Sequence, residues 1–91
     1  RDEEIGLMYQ VTIIAPARKD LEALHGKLFE AVKAAILSLG ENPRPPGSFK
    51  LSDEENGYRI RAREIRILYR INDKTKEVII YRVKHRKDVY R

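Results

Sequence analysis

A chain of 91 residues, 42% hydrophobic and 36% charged, suits one modest core and is too short for two. It has no cysteine, which excludes a disulfide framework and a thiolate metal centre, and His25 and His85 lie too far apart in the chain to make a zinc motif. The net charge of +5 is unevenly spread: residues 58–91 carry 12 Lys/Arg against 4 Asp/Glu, a net of +8, while residues 1–57 carry 7 against 10, a net of −3. That segregation points to one face made for a polyanion.

The opening "RDEEIGL" is acidic and lacks the basic n-region of a signal peptide. No apolar run reaches the length of a membrane span. A cytoplasmic protein is expected. Met8 is the only methionine, so residues 1–7 are expected to be an extension and 8–91 the single domain. "MYQVTIIAP" alternates Tyr9, Val11 and Ile13 with Gln10, Thr12 and Ile14, the pattern of a half-buried strand that Pro16 stops.

Pro16 suits the first turn of a helix, and Ala17, Leu21, Leu24 and Leu28 follow at helical spacing. Gly26 is expected to break that run near His25. A second helix then carries Phe29, Val32, Ile36 and Leu39 on one face and stops at Gly40. The two helices are expected to form a hairpin over one face of a sheet.

"ENPRPPGS" holds three of the four prolines and reads as an extended loop. "FKL" fits a short strand or turn, and "SDEENG" a polar loop. Strands are expected over 58–63 and 65–71, then a turn at "NDKTKE" and a last strand near 77–85. The order β-α-α-β-β-β implies a two-layer α+β fold: an N-terminal strand, a helical hairpin and a three-strand antiparallel meander.

Strand alternation puts Tyr58, Ile60 and Ala62 on one face and Arg59, Arg61 and Arg63 on the other. In the next strand Ile65, Ile67, Tyr69 and Ile71 share a face, opposite Arg66, Leu68 and Arg70. A two-residue turn at Arg63 and Glu64 pairs Ala62 with Ile65, Arg61 with Arg66 and Arg59 with Leu68. Like charges directly opposite each other destabilise a sheet by roughly 0.2–1 kcal/mol. A bound anion would explain their presence, because the planar guanidinium fork suits phosphate oxygens. Solvation, or pairing with acids of "SDEENG", would be the structural explanation. Strict alternation in the last strand expects Ile79, Tyr81 and Val83 on one face, and Arg82, Lys84 and Arg86 on the other with Ile80. Tyr90 beside such a cluster fits either an apolar clip for the C-terminal tail or a stacking surface for an unpaired RNA base.

"GYRIRAREIRILYRI" and the terminal "VIIYRVKHRKDVYR", set behind a helical hairpin, closely resemble the RelE/ParE superfamily of toxins. The terminal R-x-x-V-Y is more similar to RelE, an mRNA endonuclease of the ribosomal A site, than to ParE, a gyrase inhibitor. The resemblance implies a metal-independent endoribonuclease with no cofactor, in which the 2′-OH attacks the adjacent phosphate. It implies catalytic roles for Arg59, Arg61, Arg66, Arg86 and Tyr90. Familiar RelE proteins carry lysines at the first two of these positions. Arginine stabilises charge but stays protonated throughout the physiological range, so the base must be another group. Tyr90 and His85 are the candidates, with Lys50 and Glu64 behind them. Lys50, Arg82, Lys84 and Lys87 are further cations expected to meet RNA. The implied partners are a cognate antitoxin, RelB-like or other, together with mRNA and the ribosome; the assembly would be a toxin–antitoxin hetero-oligomer with no membrane association. A gyrase-inhibiting ParE-like toxin, or a catalytically inactive binder of RNA or antitoxin, is the alternative.

Overall fold

The computed structural model describes residues 8–52 and 55–85. Strand β1 spans Gln10–Ile13, and Ile14, still extended, leads into helix α1, Ala15–Glu22, with a proline in its first turn as expected. Helix α2, Gly26–Ser38, begins earlier than the apolar spacing alone indicates, and Leu28 belongs to it. The break falls at Ala23–His25. Leu39 and Gly40 form the turn after α2, and the Gly40 carbonyl accepts hydrogen bonds from the N–H groups of Met8 and Tyr9, both at 2.9 Å. The end of the helical layer is thereby stitched to the start of the sheet.

The remaining strands are β2 (Phe49–Lys50), β3 (Gly57–Ala62), β4 (Ile65–Asn72) and β5 (Glu77–His85). The sheet order is β1-β5-β4-β3-β2, with β1 parallel to β5 and every other pairing antiparallel. The fold is α+β in two layers, as expected, with the short edge strand β2 added to the meander.

Helix α1 packs on β5 and α2 on β3 and β4. The core lies between the layers. It takes Val32 and Ile36 from α2, Ala17 from α1, and Ile65, Ile67, Tyr69 and Ile71 from β4, every one of them at most 2% exposed. Tyr69 can be this deep because its hydroxyl donates to the Pro43 carbonyl at 2.8 Å. Burial pushes its phenol pKa above the ordinary value. At the same end of the sheet Asp73 accepts from Tyr9 at 2.6 Å and from Arg44 at 3.0 and 3.3 Å, tying β1, the proline loop and the β4–β5 turn together. The Arg44 bond, then the Tyr9 bond, hold the Asp73 carboxyl below its usual pKa.

Candidate functional site

Arg63, at φ +58°, opens the two-residue turn between β3 and β4, and Glu64 completes it. That turn sets the register: Ala62 faces Ile65, Arg61 faces Arg66 and Arg59 faces Leu68. Because side chains alternate, Ile60, Ile67 and Val83 point at the helices while the arginine-bearing positions point away from them. The basic face is therefore the sheet surface that the helices leave open.

Across β4 the register continues as Arg66 to Lys84 and Leu68 to Arg82. One transverse row thus reads Arg61–Arg66–Lys84 over three strands. A second reads Phe49–Arg59–Leu68–Arg82 over four. Directly opposed Cβ atoms lie about 4.5–5.5 Å apart, so the outer positions of a row of three are about 9–11 Å apart, near enough for long side chains to converge on one phosphate. Arg66, in the central strand, is 4% exposed. Arg61 is exposed, and Arg59 and Lys84 are half-buried.

The last strand departs from simple alternation. Tyr69 pairs with Ile80 and Leu68 with Arg82, which leaves Tyr81 as the extra residue of a β-bulge. Val78 and Ile80 are core residues at 0% exposure, and Val83 beyond the bulge is also core at 5%. The expected grouping of Ile79 and Tyr81 with Val83, and of Ile80 with Arg82 and Lys84, is corrected accordingly. Tyr81 is half-buried, and the Arg70 guanidinium lies 4.7 Å from its ring centre.

Arg82 is not available in the way the sequence reading expects. Its Nε and Nη2 donate to Asp20 of α1 at 2.8 and 3.2 Å, and the Val83 N–H donates to the same carboxylate at 2.9 Å. Burial pushes the Asp20 pKa up, but the bonds from Arg82 and from the Val83 N–H outweigh it, and the group ends below its ordinary value. Asp20 thus clamps the bulged part of β5 onto α1. Nothing in the sequence singles it out, because its partner lies 62 positions away.

His85 pairs with Ile65, which puts it on the helix side of the sheet and not in the row of Arg61 and Arg66. Its Nε2 is 3.5 Å from a carboxylate oxygen of Glu64. Lys50 pairs with Tyr58, again on the helix side, with its ammonium 5.3 Å from the Tyr58 ring centre. The structure therefore brings Arg59, Arg61, Arg66 and Lys84 onto one face and leaves His85 and Lys50 on the other. Arg86, Lys87 and Tyr90 lie outside the described residues. Phe49 is the residue of this face that sequence reasoning missed. It is 59% exposed, and the Arg59 guanidinium lies 5.0 Å from its ring centre.

The chain is a small two-layer α+β protein with helices on one side of its sheet and a row of cations on the other. The family model described as the ParE toxin of type II toxin–antitoxin systems, parDE, matches residues 11–90. Toxin RelG of Mycobacterium tuberculosis (strain ATCC 25618 / H37Rv) is 34% identical over 84 residues, covering 91% of this chain and 97% of RelG. The toxin–antitoxin complex RelBE2 of M. tuberculosis contains a chain that superposes with a TM-score of 0.77 at 32% identity, covering 88% of this chain and 100% of that one. The archaeal RelE–RelB complex of Pyrococcus horikoshii OT3 gives 0.78 at 26% identity, with 88% and 97% covered. The chain belongs to the RelE/ParE superfamily of type II toxin–antitoxin systems, and it is a toxin.

Proposed function

We propose that this toxin is an endoribonuclease that cleaves mRNA, on the ribosome, without a metal ion. The observation that carries the reading is the row Arg61–Arg66–Lys84, three cations held side by side on adjacent strands. In the proposed step the 2′-oxygen attacks the neighbouring phosphorus and the bond from phosphorus to the 5′-oxygen breaks. The products are a 2′,3′-cyclic phosphate and a 5′-OH end. The proton of the 2′-OH passes to a base, and an acid returns one to the leaving 5′-oxygen.

Arg61 and Arg66 stabilise the extra negative charge on the phosphorane, the task for which fixed guanidinium donors are suited. Lys84 adds an ammonium from the third strand and Arg59 meets the adjoining phosphate. Arg86 and Tyr90 complete the set by their match to the RelE motif. Tyr90 is our candidate for the base, since no guanidinium can serve as one. His85, on the helix side with Glu64, is not assigned a part.

A cognate antitoxin is part of the same proposal. The RelBE2 and RelE–RelB structures to which this chain is similar are complexes of a toxin with its antitoxin. An antitoxin segment with acidic side chains fits the open basic face of this chain, and an amphipathic segment fits its helical layer.

The test is mRNA cleavage on programmed ribosomes, with the ends of the products mapped. A 5′-OH at each cut, and loss of cutting in an Arg61→Ala, Arg66→Ala double variant that melts cooperatively, are the expected results. Tyr90→Phe should abolish cleavage if the phenol is the base and leave it largely intact if the ring only stacks. Intact mRNA together with inhibited gyrase supercoiling would replace this reading with the gyrase-directed one.

A further inference from the structure

An isolated exposed phenylalanine calls for no explanation, because much of any protein surface is apolar. Phe49 is not isolated. It sits on the two-residue edge strand β2, paired with Arg59 and therefore on the same face as the cationic rows. Its ring is capped on one side by the Arg59 guanidinium at 5.0 Å and is otherwise 59% exposed. Beside it opens a cleft of about 380 Å³ at the edge of the sheet, lined by Pro45, Pro46, Phe49, Arg59 and Arg61 and, from the helical side, by Ser38 and Ile60. That volume lies within the range of small-ligand sites.

The prolines belong to a turn. Ser48 N–H donates to the Pro45 carbonyl at 3.0 Å, closing a turn with Pro46 at its first central position and Gly47, at φ +94°, at its second. Proline fixes one torsion of that turn and glycine tolerates the other, so the turn is set by its own sequence. The cleft thus joins one flat apolar surface to two guanidinium groups, the combination that takes a base and the phosphate attached to it.

We propose that Phe49 and the adjoining cleft are a nucleobase subsite, in which one unpaired base stacks on the Phe49 ring while its phosphate is held by Arg59, next to the phosphate that Arg61 and Arg66 face. The inference rests on the RNA-cleaving reading above and adds what it lacks, a contact to a base and not to the backbone. Stacking is tolerant of base identity, so the subsite contributes affinity and register for the strand. It fixes which phosphate lies over the row Arg61–Arg66–Lys84.

The chain contains no tryptophan, so Phe49→Trp creates a single reporter at the subsite. The probe is a mixed-sequence 2′-O-methyl RNA hexamer, which binds but lacks the nucleophile, together with a matched abasic hexamer of the same charge. Phe49→Trp should bind the base-bearing strand about as well as the parent, with its emission quenched, and should show no quenching with the abasic strand. Phe49→Ala should bind the base-bearing strand about 5- to 100-fold more weakly. It should also raise KM for mRNA cleavage on programmed ribosomes while changing kcat less. Phe49→Tyr should restore both. Because the side chain is exposed, each variant should melt with the parent. Parental affinity and parental KM in Phe49→Ala, while the parent still cuts RNA, overturn the subsite and leave the nuclease intact. Equal quenching by the abasic strand also overturns it, as does a Phe49→Ala defect confined to antitoxin binding. A parent that neither binds nor cuts RNA removes both proposals together.

Discussion

Replacing Arg61 by threonine should make the domain more stable and the toxin inactive. Arg61, one residue before the end of β3, faces Arg66, and among the described residues no strand pairs with its other flank, because β2 reaches only Tyr58 and Arg59. The change thus relieves a single cross-strand repulsion, that with Arg66, which is about 0.2–1 kcal/mol. Threonine also suits an exposed strand position better than most polar residues. For a domain of this size each kcal/mol moves Tm by about 4–8 °C, so a rise of roughly 1–8 °C is expected. The same substitution deletes one of the donors facing the phosphorane, which typically lowers kcat by about 10²–10³-fold.

Two measurements decide it: melting at low and high salt, and mRNA cleavage on programmed ribosomes. In about 1 M salt the Debye length falls to about 3 Å, and the stability gap between variant and parent should largely close. A saturating polyanion should reverse the order, since a ligand at about 100 times its Kd stabilises the protein that binds it by about 2.7 kcal/mol. A variant that melts below the parent in low salt would refute the repulsion argument. A variant that cuts at the parent's rate would refute the placement of Arg61 at the reacting phosphate.

Asp20→Asn should lower stability by about 1–2 kcal/mol at neutral pH, since it weakens charge-assisted bonds to a partly exposed Arg82 and to the Val83 N–H. The Asp20 pKa is depressed in the folded state, so its contribution is complete above the unfolded value of about 4 and disappears as pH falls below it. Melting temperatures of parent and variant should therefore converge as pH falls below about 4, and a gap that does not narrow under acid would contradict the assignment. Ile67→Ala, at a fully buried site in the central strand, should cost about 2–5 kcal/mol by urea unfolding and reduce cleavage only through the folded fraction. Gly47→Ala meets no atom within 4 Å among the described residues yet forces a side chain to φ +94°; it should lower stability by about 1–2 kcal/mol and weaken RNA binding at the adjoining cleft, both read from titrations monitored by melting.

The β3–β4 hairpin was fully legible in the sequence. Two apolar stripes, one charged stripe and a two-residue turn admit one register, and the observed pairs Ala62–Ile65 and Arg61–Arg66 are those the pattern dictates. The last strand was legible in extent but not in phase. Its run Val78–Val83 is apolar on both sides of the bulge, so periodicity carries no mark of the inserted Tyr81. The helix break is expected near His25 and falls at Ala23–His25; the apolar spacing hides only that Leu28 belongs to the second helix, because Leu24 and Leu28 keep helical spacing across the break. Phe49 escaped notice because a two-residue strand has no alternation to read. Only its pairing with Arg59 reveals which face it occupies.

The bulge explains how one strand serves both the core and the site. Val78 and Ile80 point to the helices, and unbroken alternation from there would drive Arg82 and Lys84 into the core and expose Val83. Burying two unpaired cations in that layer would cost far more than the domain's marginal stability allows. The extra residue at Tyr81 inverts the phase, so that Val83 returns to the core opposite Ile67 while Lys84 arrives opposite Arg66. The parallel pairing with β1 ends at Ile80, just before this point, so the bulge disturbs no ladder on that side. Asp20 then holds the shifted segment through Arg82 and the Val83 N–H, which fixes the strand from the helical layer. The geometry of the row Arg61–Arg66–Lys84 therefore depends on a contact made on the opposite side of the sheet.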